Sequence, residues 1–253
     1  MLQLTDRNGV TILRLEHGKA HALDLELARA ITERLGELDR DPGPRALVLT
    51  GTGSIFSAGV DLYRLLDEGP GYVRAFVPAL TDTFLQLFAF SRPVIAAING
   101  HAIAGGCVLA AACDYRLMTR GDARIGVPEL RVGVPFPLVA VEILRFATSP
   151  AHLQELLYQG KTYPVDEASA RGLVDEVVAP DRLIERACEV AAQLAAEPAA
   201  RFRITKRQLR APALESIRRH AHETDADVAA EWQRPESLAA IRAYLEGLRQ
   251  RRG

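Results

Sequence analysis

Three places in this sequence carry residue types that could do chemistry together. Thr50-Gly51-Thr52-Gly53-Ser54-Ile55-Phe56-Ser57-Ala58-Gly59-Val60 follows the apolar run Ala46 to Leu49, and Ala104-Gly105-Gly106-Cys107 follows the run Val94 to Ile98, which Asn99-Gly100 ends. A strand that passes through glycines into a helix leaves the first backbone N–H groups of the helix unpaired and pointing outward. Such a turn binds an anion, or an oxygen that becomes anionic during a reaction. Glycine is needed because a ligand reaches the main chain only where no side chain stands in the way. Two such turns in one domain could each give one N–H to a single oxygen. Beyond them Glu129, set after Gly126-Val127-Pro128, is a carboxylate fixed by a proline, of the type that accepts and returns protons.

The elements that must position these groups alternate. Leu2 to Leu4 and Val10 to Leu15 flank Asp6-Arg7-Asn8-Gly9, a hairpin signal. Asp24 is a fair N-cap for a helix with Leu25, Ala28, Ile31, Leu35 and Leu38 on one face, which Asp41-Pro42-Gly43-Pro44 stops. A helix over 72–90 follows the polar interval 67–71, with Pro78 as a kink point. Further strands are read at 114–118, 124–127 and 174–178, and helices at 137–146, from 150, and at 165–172. The chain is helical from Asp181 onward, divided at Pro198, Pro212 and Pro235. Alternation followed by helices alone implies right-handed βαβ units of an α/β fold with a helical appendage, and by itself points to a doubly wound sheet.

Composition narrows the function classes. In 253 residues, 48% hydrophobic and 25% charged, there is material for a sizeable core, and a net charge of −1 makes no case for nucleic acid. No apolar run approaches the roughly 20 residues of a membrane span, and the N-terminus lacks a secretion signal. Cys107, Cys113 and Cys188 lack zinc-site spacing and suit a reducing compartment. The expectation is a cytoplasmic globular protein. Thr50-Gly51-Thr52-Gly53 lacks the Lys-Ser/Thr of a phosphate-binding loop. His220 and His222 stand on opposite sides of a helix and make a poor metal pair.

FSAGVDL at 56–62, NGHAIAGGCVLAAACDYR at 99–116 and GVPELRVGVPF at 126–136, in that order, resemble the crotonase (enoyl-CoA hydratase/isomerase) superfamily over essentially the whole chain. The resemblance implies a ββα spiral core over 1–197 in place of a doubly wound sheet, and a C-terminal helical trimerisation region over 198–253. It implies an acyl-CoA substrate, no cofactor beyond the CoA that the substrate carries, no metal, and a homotrimer or dimer of trimers. The thioester oxygen would sit between the backbone N–H groups of Val60 and Gly105.

Where hydratases of this family carry two glutamates, Glu129 matches the second and Val108 stands at the first. One base suffices to move a proton between the α and γ carbons of a 3-enoyl thioester, so Δ3→Δ2 double-bond isomerisation is favoured. Hydration of a 2-enoyl-CoA by Glu129 alone is the nearest alternative, and a non-catalytic acyl-CoA-binding assembly protein is another. Burial beside Val127, Leu130 and Val132 is expected to raise the Glu129 pKa. By resemblance Lys19, Ala20 and Ala22 form part of the CoA cleft, with Ala58, Val60, Asp61 and Leu62 beside it. Arg64, and Lys206 or Arg207 from the tail, are candidate phosphate cations. Asp61 is read mainly as a helix cap, Asp114 as a structural hydrogen-bonder, Cys107 as a packed thiol and His101 as a possible pocket residue.

Overall fold

The computed structural model describes residues 1–43 and 45–250. It opens with an antiparallel hairpin, β1 (Leu2–Arg7) and β2 (Val10–Leu15). Asn8 and Gly9 turn it with φ of 55° and 81°, the left-handed pair that matches strand twist. α1 (Leu25–Arg40) is capped by Asp24, whose Oδ1 accepts the Leu27 N–H at 2.7 Å. Leu27 takes the buried position on this face that the sequence reading gave to Leu25; Ala28, Ile31, Leu35 and Leu38 are buried as expected. α1 ends at Arg40, with Asp41 as its C-cap. Pro44, read as part of the stop, lies outside the described residues.

A strand–strand–helix unit then repeats three times. The first is β3 (Ala46–Thr50), β4 (Ile55–Ser57) and α2 (Leu62–Ala89). The second is β5 (Val94–Ile98), β6 (His101–Ile103) and α3 (Gly105–Ala112). The third is β7 (Tyr115–Thr119), β8 (Arg124–Gly126) and the single turn α4 (Glu129–Val132). The first strands of the units lie parallel in one sheet, and the second strands lie parallel in another. The plain alternation reading, one doubly wound sheet, fails for that reason. The chain is a ββα spiral.

Beyond the spiral come α5 (Leu138–Ala147), α6 (Pro150–Gln159), β9 (Thr162–Pro164), α7 (Val165–Ala170), β10 (Glu176–Val178), α8 (Leu183–Leu194), α9 (Ala199–Trp232) and α10 (Pro235–Gln250). The large sheet runs β1-β2-β3-β5-β7-β10 and the small one β4-β6-β8-β9. Strand side chains alternate between two cores. Ile12, Val48, Ile95 and Leu117 pack against Leu183, Ala187 and Val190 of α8, whereas Leu13, Leu49, Ala96 and Ile98 enter the main core with α1, α2 and α3.

Two helix readings are corrected. The helical stretch α2 begins at Leu62, ten residues before the expected start, and breaks only at Gly69 (φ 74°, ψ −166°). Asp61 starts it by accepting the Tyr63 and Arg64 N–H groups at 3.0 and 3.1 Å. Pro212 sits inside α9 without dividing it; it lies on the exposed face, where water can satisfy the carbonyl that its missing N–H leaves free. Pro198 and Pro235 do stand at helix starts, and α9 packs on α2 and α5.

Candidate active site

The parallel pairing of β4, β6 and β8 is what assembles the site. Ser57 pairs with Ala102, Ala102 with Ile125 and Ile103 with Gly126, so the three strands end side by side, about 4.8 Å apart. Val60 follows the first end, Gly105 the second and Glu129 the third. All three line one cavity of about 620 Å3, open mouth included, together with Val108. Among the described residues neither the Val60 nor the Gly105 N–H donates a hydrogen bond, as two donors kept for an outside oxygen must be.

Close backbone approach requires Gly59. Its φ is 82°, and a Cβ there would lie 2.6 Å from the Ile103 carbonyl oxygen and the Ala104 Cβ, and 3.0 Å from the Gly105 nitrogen. Ala104 is held at φ 54°, ψ −126°, a conformation costly for a residue with a side chain. Its own N–H donates to the Gly126 carbonyl at 2.8 Å, which ties the second donor turn to the strand that leads to Glu129. Sequence reading missed this strain, because alanine gives no local sign of it.

Glu129 is 9% exposed, and its Oε2 has no hydrogen-bond partner among the described residues. Burial without a countercharge pushes its pKa up from 4.5 to about 8. Val127 and Val132 are the buried neighbours foreseen, but Leu130 points outward at 47% exposure. Val60, Leu62, Phe84, Ile103 and Val108 add apolar wall, and among the described residues Glu129 is the one acidic side chain in the lining.

The loop read as part of a CoA cleft lies beside the first donor turn. The Ala58 N–H donates to the Ala20 carbonyl at 3.0 Å, and Leu23 pairs with Gly59 and Asp61 through its backbone. Ala22 and Ala20 are half-buried, and Lys19 is exposed and makes no ion pair among the described residues. Arg64 is engaged elsewhere: Glu26 and Glu68 hold it at 3.0 and 3.2 Å, with Asp24 at 3.8 Å.

Lys206 is a clear correction. It is buried, with Nζ 2.7 Å from Asp114 and 2.9 Å from the Arg92 carbonyl, and Arg210 pairs with the same aspartate at 2.8 Å. Burial brings its pKa down to about 8. This triad fastens α9 to the spiral and leaves Lys206 no reach to a phosphate; Arg207 is exposed. His101 does not line the cavity, since its Nδ1 accepts the Arg124 N–H at 3.1 Å. Cys107 is fully buried and its thiol pKa is pushed up, so it is a packed thiol. No cluster of metal-ligating side chains occurs among the described residues.

The tail supplies wall residues that the sequence reading did not find. Trp232 at the end of α9 and Tyr244 of α10 both line the cavity. More than a hundred residues separate them from Glu129, and no local periodicity could reveal that distance in space.

Against this geometry, the family model described as enoyl-CoA hydratase/isomerase matches residues 5–251. The chain belongs to the enoyl-CoA hydratase/isomerase, or crotonase, family. It is 28% identical to rat mitochondrial enoyl-CoA delta isomerase 1, over 97% of this chain and 86% of that protein. With the crotonyl-CoA hydratase of Syntrophomonas wolfei it shares 30% over 78% of this chain and 76% of the relative. The solved human mitochondrial delta3-delta2-enoyl-CoA isomerase superposes with a TM-score of 0.95 at 25% identity, covering 100% of this chain and 99% of that one. The crotonase fold thus extends to the C-terminal helices. No helix of the described residues is long and apolar enough to cross a membrane.

Proposed function

We propose that this crotonase-family enzyme is a Δ3,Δ2-enoyl-CoA isomerase that uses Glu129 as its only acid–base group. The observation that carries the reading is a cavity whose described lining holds one carboxylate, with Val108 in the same wall, and two backbone N–H donors unspent among the described residues. The carboxylate removes a proton from C2 of a 3-enoyl thioester. The electron pair moves into the thioester carbonyl, whose oxygen takes the charge between the Val60 and Gly105 N–H groups. The carboxyl group returns the proton at C4 as the double bond settles between C2 and C3. Atoms and charge balance, no water is consumed, and CoA enters only as part of the substrate.

A base near pKa 8 is stronger than an ordinary carboxylate and still gives its proton back, which suits a shuttle. Hydration would need a second group to activate and steer water, and valine at 108 supplies none. A homotrimer or dimer of trimers is the assembly that goes with this reading; Ile204 and Leu209, 44% and 66% exposed on α9, are apolar side chains such contacts would cover. The test offers the purified protein a 3-enoyl-CoA and, separately, a 2-enoyl-CoA. Isomerisation of the first, at least about a hundredfold faster than hydration of the second, is the expected result, given what one acid–base group contributes. Efficient hydration overturns the reading in favour of a hydratase, and binding without turnover of either favours a scaffold.

A further inference from the structure

We infer that Trp232 is the specificity-determining wall of this cavity: the acyl tail ends against its indole, so the protein takes thioesters of limited chain length. The inference rests on the acyl-thioester reading of the site. The lining divides by accessibility. Ala58, Val60, Leu62 and Tyr244 are half-buried and mark the open side, whereas Glu129, Leu80, Ala140 and Trp232 are buried and form the interior. Trp232, at 2% exposure, is the largest of these interior residues and the only one contributed from beyond the spiral and α5.

Behind the indole lies the aromatic core. Its ring lies 6.4 Å from that of Phe76, which is fully buried. The wall is also fixed. The indole N–H donates to the Pro135 carbonyl at 3.0 Å, in the segment that follows the Glu129 turn. Two helical turns earlier on the same face of α9, Asp225 accepts the Thr81 hydroxyl at 2.8 Å and the Leu138 N–H at 3.0 Å. These contacts hold α9 against α2 and the start of α5, so the ring cannot swing aside for a longer tail. The same helix that closes the fold therefore fixes the depth of the pocket.

The experiment is a binding series of saturated acyl-CoAs from four to sixteen carbons, measured by titration calorimetry so that no turnover is required. Wild-type affinity should rise by about fourfold per methylene while the tail is being buried, then stop rising or fall once the tail meets the indole. Trp232→Leu should move that break to longer chains and raise the affinity ratio of long to short tails at least about tenfold, the gain from roughly two more buried methylenes. Ala140→Leu, which adds bulk to the same interior, should move the break the other way and keeps the test open if the tryptophan variant does not fold. Identical chain-length profiles in wild type and in the folded variants overturn the wall and leave the thioester reading standing. Failure of every acyl-CoA to bind the wild type overturns both.

Discussion

Replacing Glu129 with glutamine should make the protein more stable, and increasingly so as pH rises. The carboxyl group has a pKa of about 8 in the fold against 4.5 for an ordinary glutamate. Below pH 4.5 both folded and unfolded chains hold the proton, and the site costs nothing through ionisation. Between 4.5 and 8 the unfolded chain releases its proton and the folded one does not, so stability falls steadily; above 8 the loss is constant. At 1.36 kcal/mol per pH unit the loss is about 1 kcal/mol at pH 5, about 3 at pH 7 and about 5 at pH 9. Glutamine carries no charge to lose.

Urea unfolding of wild type and Glu129→Gln at pH 5, 7 and 9, at one fixed protein concentration, reads the difference. Its change with pH is the informative quantity, because the packing of the new amide is the same at each pH and cancels. Water entering at the mouth lessens the burial, so the variant should gain about 2–4 kcal/mol relative to wild type between pH 5 and 9. A stability difference that does not change with pH would mean that Glu129 ionises like a surface glutamate, too weak a base to shuttle the proton.

Three other outcomes follow from the same geometry. The kcat/KM of the isomerisation should climb tenfold per pH unit below about 8 and level off above it, because only the ionised carboxylate abstracts a proton and burial sets its pKa near 8; a flat profile from pH 6 to 9 contradicts this. Gly59→Ala should lower turnover by about 10²–10³, the cost of a lost oxyanion donor, since its Cβ would push the two donor turns apart; retention of full activity would mean that those turns do not hold the substrate oxygen. Asp114→Asn should destabilise the fold by about 3–5 kcal/mol, as breaking a buried ion pair does, while the folded fraction keeps its affinity for CoA thioesters; a selective loss of that affinity would return Lys206 to the phosphate site.

Much of this was legible in the residues. Asn8-Gly9 marked the hairpin, Asp61 was legible as a cap although the helix it starts was expected only from residue 72, and Gly59, Gly105 and Gly106 marked backbone that had to stay bare. These are local signals, in which a residue type answers a demand made within a few positions. The second sheet was not local. Strands of three residues such as β4, β6 and β8 carry too little alternation to be placed by pattern, and only the family resemblance supplied the spiral. Lys206 misled because α9 has one face on the spiral and another outside, so its charge said nothing of its burial; its partner Asp114 lies 92 positions away. Trp232 was hidden for the same reason, with Pro135 at a separation of 97.

The most direct measurement is the conversion of a 3-enoyl-CoA to its 2-enoyl isomer by wild type and Glu129→Gln, with acyl-CoA binding measured on both. Turnover should drop by about 10²–10⁴ in the variant, the worth of one general acid–base group, while binding stays within a fewfold. A variant that converts the substrate within about tenfold of the wild-type rate would contradict the claim that this carboxyl group carries the proton.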